Sequence, residues 1–208
     1  MLKDTGERII PEKMKMTNPL LIEHLARYHF ASYYVYGKVL DFACGTGYGS
    51  HIIAKNCKEK VVEVVGLDDD EHVINYAKST YYHPKTKFLV GDVTDPSLPD
   101  RLGMAFDCIL SFETIEHVSE EKQFLENIFQ LLNPGGTLIL SSPFGKGRHI
   151  PSGTPFHVHQ LTVDEFKTLF KDYKYESVQY FYQKGALIVP EAYKNDAYFP
   201  LGIAICKK

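Results

Sequence analysis

The stretch Val39-Leu40-Asp41-Phe42-Ala43-Cys44-Gly45-Thr46-Gly47-Tyr48-Gly49 carries a short apolar run straight into a glycine-bearing turn. Val39 to Phe42 reads as a buried strand. Gly45 and Gly47 let the backbone turn tightly and approach a ligand that a side chain would block. Helix-forming sequence follows to about Cys57, so the turn ends on free N–H groups and the positive end of a helix dipole. Strand, tight turn and helix start together form the ligand-binding corner of a doubly wound sheet.

The chain on either side repeats that alternation. Upstream, Asn18-Pro19 is a helix start, with Asn as cap and Pro in the first turn. Leu21, Leu25, Ala26, His29, Phe30 and Tyr33 then give one buried face, ended by Gly37. Downstream, strands are expected at Val61 to Leu67, Lys87 to Val90, Phe106 to Ser111 and Thr137 to Ser141. Helices are expected around His72 to Ser79 and Phe124 to Leu132, and Asn133-Pro134-Gly135-Gly136 reads as a turn. Thr162-Val163-Asp164-Glu165 is a capping box opening a helix to about Lys171. Tyr175 to Tyr182 and Phe199 to Ile205 read as two final strands able to pair. The pattern implies an α/β, three-layer, mostly parallel doubly wound sheet.

Composition narrows the class. The chain has 208 residues, 44% hydrophobic and 24% charged, with a net charge of -3. That is ordinary for one globular domain. No basic excess marks a phosphate-backbone partner, so nucleic acid is not expected. No apolar run approaches the roughly 18 residues of a membrane span, and Met1 to Arg8 lacks a secretory signal, so a cytoplasmic protein is expected. Cys44, Cys57, Cys108 and Cys206 are widely spaced and read as reduced, semi-buried thiols.

The ligand can be narrowed too. A dinucleotide fingerprint wants a third glycine where Ser50 stands, and a P-loop would need Gly-Lys-Ser/Thr, which is absent. Asp41, four residues before Gly45, would repel a pyrophosphate but suits a ligand carrying an ammonium group. Asp68 ends the second strand and suits a ribose, while Asp69 and Asp70 read as helix-start residues. Gly91-Asp92-Val93 ends the third, where an acid can accept from an adenine amino group and Val93 can pack on the ring. Three acids at three successive strand ends point to one nucleoside with a zwitterionic tail.

These segments resemble the class I S-adenosylmethionine-dependent methyltransferases, of the methyltransferase type 11-like kind. The resemblance runs through Val39–Gly47, Val65-Gly66-Leu67-Asp68, Gly91-Asp92-Val93, Phe106–Ser111 and Leu131–Leu138, over about residues 38–145. It implies a Rossmann-like seven-stranded sheet with an antiparallel last strand. It also implies S-adenosylmethionine as cofactor and S-adenosylhomocysteine as product. Contacts are implied at Asp41, Ala43, Cys44, Gly45, Thr46 and Gly47 around the methionine part, at Asp68 for the ribose with Asp69 beside it, at Asp92 and Val93 for the adenine, and at the backbone from Ser111 to Glu113. The single domain then divides into a leading helical lid (1–37), a cofactor core (38–145) and an acceptor-side remainder (146–208).

Candidates at the reacting end follow strands four and five. Glu113, Glu116 and His117 share a face if their turn is helical. With His157 or His159 they offer an oxygen-and-nitrogen set for a divalent metal. This layout resembles small-RNA 2′-O-methyltransferases, where a Glu-x-x-Glu-His turn and a later His hold a metal, and ubiquinone-type O-methyltransferases. The alternatives are a base role for His117 and His157 and a purely structural turn; a metal is not the favoured expectation. The front segment, Gly6-Glu7-Arg8-Ile9-Ile10-Pro11 with His24–Ala31, is similar to bacterial methyltransferases found beside surface-polysaccharide glycosyltransferases. Arg8, Tyr28 and His29 are its candidate pocket residues. The expected activity is methyl transfer to a small-molecule, sugar or glycolipid hydroxyl. The rival readings are a non-catalytic S-adenosylmethionine-binding module and a nicotinamide-dependent oxidoreductase.

Overall fold

In the computed structural model, which describes residues 8–194 and 197–208, the strands form one eight-stranded sheet. They are β1 (Gly37–Phe42), β2 (Val61–Asp68), β3 (Thr86–Val90), β4 (Phe106–Ser111), β5 (Leu132–Pro143), β6 (Ser177–Lys184), β7 (Leu187–Pro190) and β8 (Leu201–Lys207). Their order is β3-β2-β1-β4-β5-β8-β6-β7. The first five are parallel, and β8 is antiparallel to both β5 and β6. The eighth strand is β7, four residues long. It joins β6 through Gly185-Ala186, with Gly185 at φ 59° as a two-residue hairpin turn requires.

The helices are α1 (Pro19–Ala31), α2 (Tyr48–Asn56), α3 (Glu71–Thr80), α4 (Leu98–Leu102), α5 (Glu121–Leu131) and α6 (Val163–Thr168). Side chains alternate across each strand. Val39 of β1 therefore packs with α1 to α3, while Leu40 and Phe42 pack with α4 to α6. Two cores result, one on each face of the sheet. α1 starts as its sequence directs, with the Asn18 side chain accepting from the Leu21 N–H at 3.2 Å. The Thr162–Glu165 capping box forms in full at the start of α6.

Three expectations need correction. α1 ends at Ala31, not Gly37, and its buried residues are Leu21, Arg27, Tyr28 and Ala31; Tyr33 is 83% exposed. The buried stripe passes through an arginine, which a search for apolar period alone passes over. Asn133-Pro134-Gly135-Gly136 is no separate turn but a bulge: Phe106 pairs with Leu132 and Cys108 with Thr137, so two steps of β4 span five of β5. α6 stops at Thr168, three residues short of the expected end. Gly6 and Glu7 lie outside the described residues. No helix among the described residues is long and apolar enough to cross a membrane.

Candidate cofactor cleft

A cleft of about 780 Å³ opens beyond the carboxyl ends of β1 to β4. This is the switch point of the sheet, where the order reverses between β1 and β4. Ala43 to Thr46 enter it from β1, Asp68 and Asp69 from β2, Gly91 to Thr94 from β3, and Phe112 to Thr114 with Glu116 to Ser119 from β4. Leu20, His24 and Tyr28 of α1 cover it, and Phe156 and His157 close the far side.

The loops that line it carry backbone strain. Ala43 (φ 69°) and Glu113 (φ 53°) are the only non-glycine residues with positive φ among those described, and both face the cleft. Such a conformation costs on the order of 1–3 kcal/mol and persists only when its surroundings fix it. The Cys44 N–H donates to the Leu67 carbonyl at 2.8 Å, holding the turn against β2. The Glu113 N–H donates to the Ser141 hydroxyl at 3.2 Å, and that hydroxyl donates to the Glu113 carboxylate at 3.2 Å.

The acids divide by role. Asp68 accepts from the Gly45 N–H at 2.9 Å and, with its other oxygen, from the Asp70 N–H at 3.2 Å. It therefore shapes the glycine turn while standing in the cleft, and burial raises its proton affinity. Asp70 caps α3 and pairs with Arg8 at 3.0 Å. Asp69, exposed, lines the cleft instead. Asp92 spends one oxygen, Oδ1, on the Thr94 N–H and hydroxyl. Burial pushes the Glu113 carboxyl up, opposed chiefly by the nearby Arg27 charge.

Asp41 is not in the cleft. Strand alternation turns it to the α1–α2 face, where it is 1% exposed and accepts from Tyr28 at 3.1 Å and Ser50 at 2.7 Å. Desolvation raises its pKa to about 6. Gly47 and Ser111 likewise lie behind the wall. A Cβ on Gly47 would sit 2.7 Å from Ala77 and Phe88, so this glycine serves packing. Of the expected cofactor residues, Ala43, Cys44, Gly45, Thr46, Asp68, Asp69, Asp92, Val93 and Glu113 do line the cleft.

α1 supplies residues that sequence reasoning missed. His24 lines the cleft with Nδ1 3.1 Å from the Tyr48 hydroxyl; burial, reinforced by Arg27, keeps its pKa well below the usual value. Its spacing from Tyr28, one helical turn, was the available signal. Of the three residues expected from the front segment, Arg8 and Tyr28 line the cleft and His29 does not. Arg27 is buried beneath this wall and donates to Gln183 at 2.9 Å.

The structure brings together Glu116, His117 and His157, whose ligand atoms all lie within 4.8 Å of one another. The two imidazoles meet edge to face at 4.8 Å between centroids, and His117 Nδ1 lies 3.0 Å from the Phe156 carbonyl. Two of the proposed ligands do not join them. Glu113 turns to Ser141, and His159 lies beside Glu121 at 3.4 Å. The set is thus one carboxylate and two imidazoles, chemically suited to a borderline divalent cation.

A family model described as a methyltransferase domain matches residues 36–194. The chain is 32% identical over 177 residues to a protein of Mycolicibacterium smegmatis named as a probable S-adenosylmethionine-dependent methyltransferase, covering 83% of this chain. It spans 65% of that relative's length. Among solved structures, the methyltransferase domain of bacterial CtHen1-C superposes with a TM-score of 0.67 at 19% identity, covering 91% of this chain and 98% of that one. The plantazolicin methyltransferase BpumL, solved with S-adenosylhomocysteine and a triazolic desmethylPZN analogue, superposes with a TM-score of 0.68 at 18% identity, covering 93% of this chain and 86% of that one. The chain belongs to the class I S-adenosylmethionine-dependent methyltransferase family.

Proposed function

We propose that this protein binds S-adenosylmethionine in the cleft and transfers its methyl group to a hydroxyl of a small-molecule, sugar or glycolipid acceptor. The observation that carries the reading is the charge of the cleft. Among the described residues, Asp68, Asp69, Asp92, Glu113 and Glu116 line it against one guanidinium, that of Arg8. A sulfonium and an ammonium suit such a lining, whereas the pyrophosphate of a nicotinamide cofactor would be repelled.

In this reading Asp68 accepts from the ribose hydroxyls, Asp92 from the adenine amino group, and Val93 packs on the ring. The glycine turn and the residues around Glu113 take the methionine part. The acceptor oxygen forms its bond to the methyl carbon as the carbon–sulfur bond breaks, and the electron pair returns to sulfur. Alignment supplies much of the rate, as in other oriented reactions. The acceptor's proton passes to a neutral imidazole, with His117 and His157 as the catalytic candidates.

The test is thermal stabilisation of the full chain. S-adenosylhomocysteine should raise the melting temperature by mass action, and NAD should not. A shift with NAD alone overturns the reading. A methyl group transferred to any acceptor, in a panel of hydroxyl, amine and sugar compounds, separates an enzyme from a non-catalytic binding module.

A second reading of the far side rests on the Glu116, His117 and His157 cluster. These three residues would hold a divalent cation, which lowers the proton affinity of a bound acceptor hydroxyl.

A further inference from the structure

Beside the cleft lies a second hollow of about 420 Å³, between the helical turn Pro11–Lys13 and the start of α1. Arg8 and Leu20 line both spaces, so the hollow is an annex of the cleft. Its electrostatics are opposite. Among the described residues, Arg8, Lys13 and Lys15 line it, and no carboxylate does.

Of the neighbouring acids among the described residues, one is turned away and one is paired with Arg8. Glu12, in the same turn, accepts from the Tyr76 and Tyr81 hydroxyls at 3.1 and 2.5 Å, which draws its carboxylate toward α3. Asp70 holds Arg8 at 3.0 Å and so fixes a guanidinium on the boundary between the two spaces. Lys13 and Lys15 form no ion pair among the described residues. The positive end of α1 adds to the same field. In a chain with net charge -3, a hollow lined, among the described residues, by three cations and no acid is a marked local departure. Concave, low-dielectric walls focus such a field on an anion.

We propose that the annex is a phosphate subsite for the acceptor: it takes the phosphate group of a phosphorylated hydroxyl compound, whose reacting hydroxyl extends into the cleft. This rests on the methyl-transfer reading. The two spaces then sort two charges. The acidic cleft receives the cationic methyl donor, and the basic annex receives the anionic end of its partner. Arg8, planar and already oriented, gives direction, while the lysines act as adaptable point charges. A phosphate ester is common to sugar phosphates and to phospholipid headgroups, so the source is decided by the experiment.

The full chain, saturated with S-adenosylhomocysteine, is titrated with glucose 1-phosphate, with glucose, and with phosphatidylcholine vesicles with and without phosphatidic acid. Binding of glucose 1-phosphate but not glucose assigns the subsite to a soluble phosphate. Binding only to phosphatidic acid vesicles assigns it to a lipid-borne one. In either case the double variant Lys13→Glu, Lys15→Glu should lose about tenfold or more in that affinity, while S-adenosylhomocysteine affinity stays within about twofold. Both lysines are exposed, so the fold should tolerate the change. The proposal is overturned if no phosphate probe binds, or if the double variant binds as well as the parent. Failure of S-adenosylhomocysteine itself to bind is read first, and it refutes the methyl-transfer reading instead.

Discussion

The Tyr28 hydroxyl sits within hydrogen-bond reach of both carboxylate oxygens of Asp41, at 3.1 and 3.3 Å, beneath the glycine turn. One bond system thereby ties α1 to the end of β1. Tyr28→Phe keeps the ring contacts with Tyr48 and Phe112 and removes only the hydroxyl. The expected loss is about 1–3 kcal/mol, because a buried carboxylate is left with Ser50 alone. Denaturant unfolding measures it, and an unchanged midpoint would show that the bond contributes nothing net.

Asp41 also gives a pH signature. Its folded pKa of about 6 lies above the ordinary 3.8, chiefly through desolvation. The folded state therefore holds this proton more tightly than the unfolded chain. Its stabilising contribution is complete below the ordinary value and is lost as pH rises through about 6. Asp41→Asn should gain stability relative to the parent between about pH 4 and pH 7. Unfolding curves at several pH values test this, and a constant difference across the range rules it out.

The two glycines of the turn should respond differently to alanine. At Gly47 a new Cβ meets Ala77 and Phe88 at 2.7 Å, with φ at 85°. Overpacking and a left-handed backbone together should cost about 2–4 kcal/mol. At Gly45 the Cβ meets nothing within 4 Å, so stability should fall only by the backbone cost, about 1–2 kcal/mol. S-adenosylhomocysteine affinity should nevertheless drop in Gly45→Ala, because that open space belongs to the cleft. Paired melting and calorimetric titrations separate the two effects.

Asp68→Asn keeps the shape of the side chain and removes its charge. The affinity for S-adenosylhomocysteine should fall by about 10- to 100-fold, the value of losing charge-assisted hydrogen bonds to a ribose. Circular dichroism should show the fold retained. Unchanged affinity would remove Asp68 from the ribose role.

If a cation sits on Glu116, His117 and His157, chelator should lower activity and added Mn²⁺ or Co²⁺ should restore it. Anomalous scattering should then locate one ion between the two imidazoles. Full activity in chelator leaves the histidines as bases.

Much of the parallel half of the sheet was legible in the sequence, because β1, β2 and β4 are apolar runs closed by an acid, a serine or a glycine turn. Asp68 could be placed by that rule, Asp92 by the acid that follows β3, and Glu113 by the family resemblance. Asp41 was misplaced because strand alternation turns it away from the cleft, where Tyr28 of α1 and Ser50 of α2 receive it. β7 was missed because Leu187-Ile188-Val189-Pro190 is too short to carry a period. α1's inner face was misread because Arg27, fully buried, looks like a solvent residue. His24 was missed for a related reason: its place in the cleft is a matter of how α1 crosses the sheet.

The position of β8 has a consequence for biosynthesis. It is the last strand in sequence, yet it lies between β5 and β6 and pairs with both along seven residues each. Until it emerges from the ribosome, β5 exposes one unpaired edge and the β6–β7 hairpin has no sheet to join. Open edges invite pairing with other chains, and closing them requires contacts distant in sequence, which form slowly. A nascent chain released or stalled before Leu201 should therefore be the aggregation-prone form of this protein, with β1 to β5 already assembled beside an open edge.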